Sequence, residues 1–222
     1  MQQLPEHFST APVGRDPISR QELVSYQRER VLAAATGVFA KRGYQPTKVD
    51  HLFAAAKIGG GGFYSLFEGK EDCFLTVFDR ILSAVRGEIG AAVVGADGWA
   101  EQSFLGLRAL LEFSSARPLE SRLALVEVQG AGPTATQRYH RVTDEAVAWL
   151  RQGRRHYPRA KSLPDRFEQA AVAGLAWFLQ QELRAGEPRP VPELLADSVA
   201  QILEPITGAQ EIRRLGAELA TA

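Results

Sequence analysis

Four consecutive glycines, Gly59 to Gly62, followed by Phe63-Tyr64-Ser65 and then by Gly69-Lys70, form the most chemically suggestive stretch of this 222-residue chain. Glycine-rich turns ahead of a lysine can cradle phosphate through backbone N–H groups, but the spacing here is wrong. A Walker-type loop needs Gly, four residues, then Gly-Lys-Ser/Thr. Counting back from Gly69 puts Tyr64 where the first glycine belongs, and Glu71 follows the lysine. The G-x-G-x-x-G pattern fails as well, because Gly59 and Gly60 lead to Tyr64 and Ser65 at its last position. The histidines, His7, His51, His140 and His156, show no His-x-x-x-His or Glu-x-x-His spacing suited to zinc. There is no Gly-x-Ser-x-Gly nucleophile elbow. The expectation is therefore a protein without metal, cofactor or enzymatic activity.

The glycines sit inside a different pattern. In TKVDHLFAAAKIGGGGFYSLFEGK, residues 47–70, Val49, Leu52, Phe53 and Ala56 recur at helical spacing. Thr47 and Asp50 stand at the separation of a capping box. Lys57-Ile58-Gly59 breaks the pattern, Phe63, Tyr64 and Phe67 resume it, and Lys70-Glu71-Asp72 opens a longer helix with acidic residues at its positive end. Helix, tight turn, short helix is the arrangement whose second helix can enter the major groove of DNA.

These residues also resemble the TetR family of bacterial transcriptional regulators. The resemblance rests on Val38-Phe39-Ala40-Lys41-Arg42-Gly43-Tyr44, on Thr47-Lys48-Val49, and on Phe63-Tyr64-Ser65-Leu66-Phe67-Glu68-Gly69-Lys70-Glu71, and it covers roughly residues 30 to 80. It implies phosphate contacts from Thr47, Lys48, Tyr64 and Lys70, with the backbone of Gly60, Gly61 and Gly62 and the side chain of Ser65 meeting the groove. Such proteins usually carry Gly or Asn at Lys57, where the turn favours a positive φ. They usually carry serine at Gly59 and threonine or serine at Gly62. Each glycine costs about 1 kcal/mol of helix propensity relative to alanine, and the run removes side chains that would read base edges.

The elements around this unit read as helical throughout, with no strand-like alternation, so the fold class is all-α. Residues 1–17, with Pro5, Pro12 and Pro17, read as a flexible arm: either a solvated tail, or a segment on which Arg15, together with Arg20 just beyond it, reaches a minor groove. Ser19 and Glu22 then make a capping box, with Ile18 stapling to Leu23. A first helix is expected to run to Arg42 with Gly43 as its stop, burying Val24, Val31, Ala35 and Val38. Residues 18–69 are thus expected to form a three-helix DNA-binding head, and residues 70–222 a body of six or so helices. Body helices are expected over 70–94, 99–116, 119–129, 134–157, 165–185 and 191–206, with a basic loop at 158–164 and an amphipathic tail after Gly208.

Composition agrees with an ordinary globular protein: 45% hydrophobic, 23% charged and a net charge of zero. The charge is unevenly spread. Residues 1–70 hold nine Lys/Arg against six Asp/Glu, and the remainder 17 against 20, a modestly basic head on a slightly acidic body. Charge interrupts every apolar run before it could span a membrane, and the first residues lack a signal-peptide pattern, so a cytoplasmic protein is expected. The lone Cys73 excludes an intramolecular disulfide and reads as a small core residue. Arg151, Arg154, Arg155, Arg159 and Lys161 read as cations complementing a helix C-terminus rather than as an anion site.

In the body, the resemblance implies a largely apolar effector cavity, for which Trp99, Leu107, Leu111, Glu127, Tyr139 and Trp177 are the candidate lining. A carboxylate such as Glu127 inside a protein must be paired or hydrogen-bonded, and a structural ion pair is the competing reading. The helices of 165–185 and 191–206 show more apolar circumference than one partner covers. The resemblance makes them a homodimer interface, with Ala170, Gly174, Trp177, Phe178, Leu195, Val199 and Ile202 as candidate contacts. The sequence thus suggests a homodimeric, ligand-responsive regulator, most readily a repressor, on a palindromic double-stranded DNA operator. The alternative is a small-molecule- or partner-binding protein of the same fold with weakened or lost sequence-specific DNA binding.

Overall fold

A computed structural model describes residues 19–185 and 189–220. Arg15 of the expected arm and Ile18 of the expected staple lie outside these residues. Among the described residues the chain forms eleven α-helices and no strand.

Helix α1, Arg20–Arg42, starts on the expected capping box: the Glu22 N–H donates to Ser19 Oγ at 3.2 Å, and Glu22 Oε2 accepts from the Ser19 N–H at 2.8 Å. It stops at Gly43, whose φ of 87° only glycine adopts without strain. Val31, Ala35 and Phe39 face the core. Val24, expected on that face, is 43% exposed, because the buried stripe of α1 begins only at Val31.

Helix α2, Val49–Ala55, is capped differently from the expectation. Its N-cap is Lys48, whose N–H donates to His51 Nδ1 at 3.0 Å. Thr47 lies one residue too early, and its hydroxyl donates instead to the Gly43 carbonyl at 2.6 Å. The following turn places Lys57 in the left-handed region, φ 54°, while Arg30 donates to the carbonyls of Ala56 and Lys57 at 2.8 and 3.3 Å. Helix α3, Gly60–Tyr64, is a little over one turn, anchored by the fully buried Phe63. Helix α4, Lys70–Ala92, begins immediately afterwards.

The body continues with α5, Gly98–Ala116, α6, Pro118–Leu125, and α7, Pro133–His156. After these come α8, Phe167–Ala185, α9, Val191–Ile202, α10, Glu204–Thr207, and α11, Ala209–Ala220. Two expected helices are interrupted. The stretch 119–129 ends its α-helix at Leu125 and finishes as a 3-10 turn over Glu127–Gly130. The stretch 191–206 breaks at Leu203, where Pro205 near the start of α10 cannot donate to a continuing helix.

Two hydrophobic clusters hold these elements. One joins α1–α3 to α4 and the near end of the body through Phe39, Phe63, Phe74, Phe78, Phe113 and Leu123. The change from head to body read from the sequence at Lys70 falls within this cluster. The second fills the far end of the body, around Trp99, Leu111, Leu179, Ile202 and Ile206. Cys73 is fully buried in the first, and burial pushes its thiol up to about 12. Arg154 serves the second end: its guanidinium grips the buried Glu168 at 2.6 and 3.2 Å and donates to the carbonyls of Ala160, Leu163 and Pro164. These bonds pin the basic segment, which forms a 3-10 turn over Pro158–Ser162, onto the start of α8.

Candidate nucleic-acid interface

The side chains expected on DNA divide by exposure. Lys48, Tyr64, Ser65 and Gly61 are exposed around the start of α2 and along α3, and Arg20 is exposed at the first turn of α1. Gly60 and Gly62 are half-buried. Tyr64 is 59% exposed, while its neighbour Phe63 packs inward against Phe67. The Ser65 hydroxyl donates to the Gly62 carbonyl at 2.8 Å.

Two of the expected phosphate contacts are engaged within the chain. Thr47 is buried, so its hydroxyl ties the α2 entry to the end of α1 rather than facing outward. Lys70 reaches inward: its Nζ donates to the Tyr44 carbonyl at 3.0 Å and lies 4.1 Å from the centre of the Tyr44 ring. Burial lowers the pKa of this ammonium. Sequence reasoning overlooked Lys57 as a surface group. It is exposed at the tip of the turn between α2 and α3 and adds a cation beside the candidate face.

The six candidate effector residues do not converge on one cavity. Trp99 is built into the far core: its indole N–H donates to the Trp149 carbonyl at 3.0 Å, and its ring packs so closely over Gly153 that a Cβ there would sit 2.7 Å away. Leu107 and Leu111 belong to the same cluster, and Tyr139 packs against the other. Trp177 is 62% exposed on α8. Glu127 is neither a free nor a cavity carboxylate: Oε2 accepts from the Tyr44 N–H at 2.9 Å, and Oε1 lies 3.5 Å from Arg122 Nε. Beside it, Gln45 donates to the Gly130 carbonyl. The 3-10 turn of the body is thereby latched to the loop that leads into α2, a contact across 83 residues that no local sequence signal announces. One mainly apolar cleft of about 170 Å³ is present, lined by Leu111, Ser114, Leu179, Glu182, Leu183 and Leu194. Of the six candidates, only Leu111 borders it.

Of the candidate dimer residues, Val199 and Ile202 turn inward. Both are buried in the core of their own chain, because the apolar face of α9 packs on α5. Gly174 is half-buried, and a Cβ on it would meet the Gln201 side chain at 2.8 Å, so it serves the α8–α9 contact. Phe178 and Leu195 are half-buried, with the Arg189 guanidinium 4.9 Å over the Phe178 ring. Ala170 and Trp177 are exposed, and with Ala173 they form one stripe of α8. Among the described residues, no helix is long and apolar enough to cross a membrane, and no three His, Cys, Asp or Glu side chains are placed to hold a metal.

Helix α2, the turn at Lys57 and helix α3, braced by α1 and mounted on a helical body, define the helix-turn-helix class of DNA-binding fold. Residues 31–77 match the model of the bacterial regulatory proteins of the tetR family. The HTH-type transcriptional regulator YhgD of Bacillus subtilis is 28% identical over 97 residues, which is 44% of this chain and 51% of that protein. The chain spans about half the length, or less, of the curated relatives it matches. The fold is shared with the fatty acid degradation regulator FadR of Bacillus halodurans, with a TM-score of 0.69 at 16% identity over 82% of this chain and 96% of that one. It is also shared with FadR of Bacillus subtilis in complex with stearoyl-CoA, with a TM-score of 0.65 at 15% identity over 81% and 98%.

Proposed function

We propose that this chain is an effector-controlled transcriptional repressor that binds a palindromic DNA operator as a homodimer in the bacterial cytoplasm. The observation that carries this reading is the coincidence of the family match, residues 31–77, with the end of α1, the α2–α3 unit and the start of α4. In this reading residues 18–69 form the DNA-binding head and residues 70–222 the effector and dimerisation body. Lys48, Lys57 and Tyr64 supply exposed groups for phosphates, and the Arg15 and Arg20 region extends the contact.

The dimer face is the stripe Ala170, Ala173 and Trp177 on α8 with Ala196 and Ala200 on α9, all exposed and small except for one large aromatic. Small residues around a central tryptophan allow close approach of two helices and one large buried anchor. The two-fold symmetry of such a pair would place two heads on repeated half-sites. The effector site opens at the apolar cleft between α5, α8 and α9, which must widen beyond its volume of about 170 Å³ to admit a long chain. Fatty-acid regulators among the proteins of like fold, one of them holding stearoyl-CoA, support a long-chain apolar effector.

A mobility-shift assay with the duplex immediately upstream of the gene tests the reading. A retarded complex that long-chain acyl thioesters dissolve is expected. Failure to retard that duplex, or any other, at low salt would instead favour the second reading, a ligand-binding member of the fold that has lost operator recognition. The bare glycine run on α3 is what favours it.

A further inference from the structure

Resting on the DNA-binding reading, we propose that α3 enters the groove as bare backbone and that this protein selects its sites with little direct base readout. The four glycines are not demanded by the fold. None of Gly59 to Gly62 has a positive φ; the residue that does in this turn is Lys57. A Cβ at Gly59 or Gly61 would meet nothing within 4 Å, and at Gly60 or Gly62 it would make only ordinary contacts with Phe53 or Ile58. A Cβ would therefore fit at each of the four, and Gly59 and Gly61 are exposed.

What α3 and its cap offer besides glycine is limited. Phe63 is fully buried, and the Ser65 hydroxyl spends its proton on the Gly62 carbonyl. Tyr64 remains as the large exposed side chain. One good bidentate contact to a base edge supplies roughly a 5- to 150-fold preference for the right base. A glycine supplies none, although its backbone can approach the duplex closely. Site choice then falls to the shape and deformability of the duplex, read through the phosphate contacts of the exposed cations.

The test is selection of binding sites by the full-length protein from a pool of random duplexes, run in parallel for the wild type and Gly61→Arg. The wild type is expected to bind the pool but to enrich a diffuse preference, with no base favoured more than about fivefold. Gly61→Arg, whose added Cβ meets nothing within 4 Å, is expected to add a guanine preference of about tenfold at one position in each half-site. A sharp wild-type motif, with several positions each favoured more than about twentyfold, would overturn the proposal while leaving the DNA-binding reading intact. An unchanged base preference in Gly61→Arg would also overturn it, since α3 would then not face the bases. Failure of the wild type to bind any duplex at low salt would overturn both.

Discussion

At the residue scale, several polar groups conspicuous in the sequence turn out to be structural. Arg154 belongs to a basic cluster, yet its guanidinium is consumed by the fully buried Glu168 and three carbonyls. Removing one partner of a buried pair leaves an uncompensated charge, so Arg154→Ala is expected to destabilise the fold by about 3–5 kcal/mol in urea unfolding at neutral pH. Burial, the largest single influence, works against ionisation of Glu168, but the Arg154 hydrogen bonds, a backbone hydrogen bond and the charges of Arg154 and Arg151 together outweigh it and hold the carboxyl below its ordinary value. A carboxylate lowered in the folded state contributes stability above its unfolded pKa and loses it as the pH falls through its folded value. The gap between wild type and Arg154→Ala should therefore narrow below about pH 4. Cys73, fully buried with its thiol pushed up to about 12, is expected to resist thiol reagents in the native state and to react fully on unfolding, as followed by absorbance with an aromatic disulfide.

At the element scale, the latch between Glu127 and the Tyr44 N–H gives the body a grip on the loop that sets α2 and α3. Glu127→Ala is expected to speed amide exchange in residues 44–58 by about tenfold or more with little change at the far core. Equal exchange in the two proteins would show the latch to be idle. Much of the element plan was legible in the sequence. The Ser19–Glu22 box, the Gly43 stop and the short turn around Lys57 are local signals, and each is present in the fold. The capping of α2 was misread because Thr47 and Asp50 have the right spacing, while the structure uses His51 on the Lys48 N–H. The Glu127 and Lys70 contacts escaped for another reason: they join groups 83 and 26 residues apart, and a periodicity names a face without naming its partner. Trp99 shows the same limit. Its aromatic type suggested a ligand site, but the close packing over Gly153 fixes it in the core, so Gly153→Val is expected to cost about 1–3 kcal/mol or more in unfolding.

At the scale of the whole molecule, the proposal depends on two heads held at a fixed separation. Val199 and Ile202 serve their own chain, so the proposed dimer face is the exposed stripe around Trp177. Trp177→Arg should halve the mass measured by light scattering at micromolar concentration while leaving the helical circular dichroism unchanged, because the side chain is exposed in the single chain. A dimer of unchanged mass would move the interface elsewhere. The measurement that reaches the central claim most directly is hydroxyl-radical footprinting of the wild-type protein on the duplex upstream of its gene. The account predicts two symmetric patches of backbone protection, their centres about 34–36 Å or a multiple of that apart, and their loss when long-chain acyl thioester is added. A uniform cleavage ladder at protein concentrations well into the micromolar range and at low salt would contradict it.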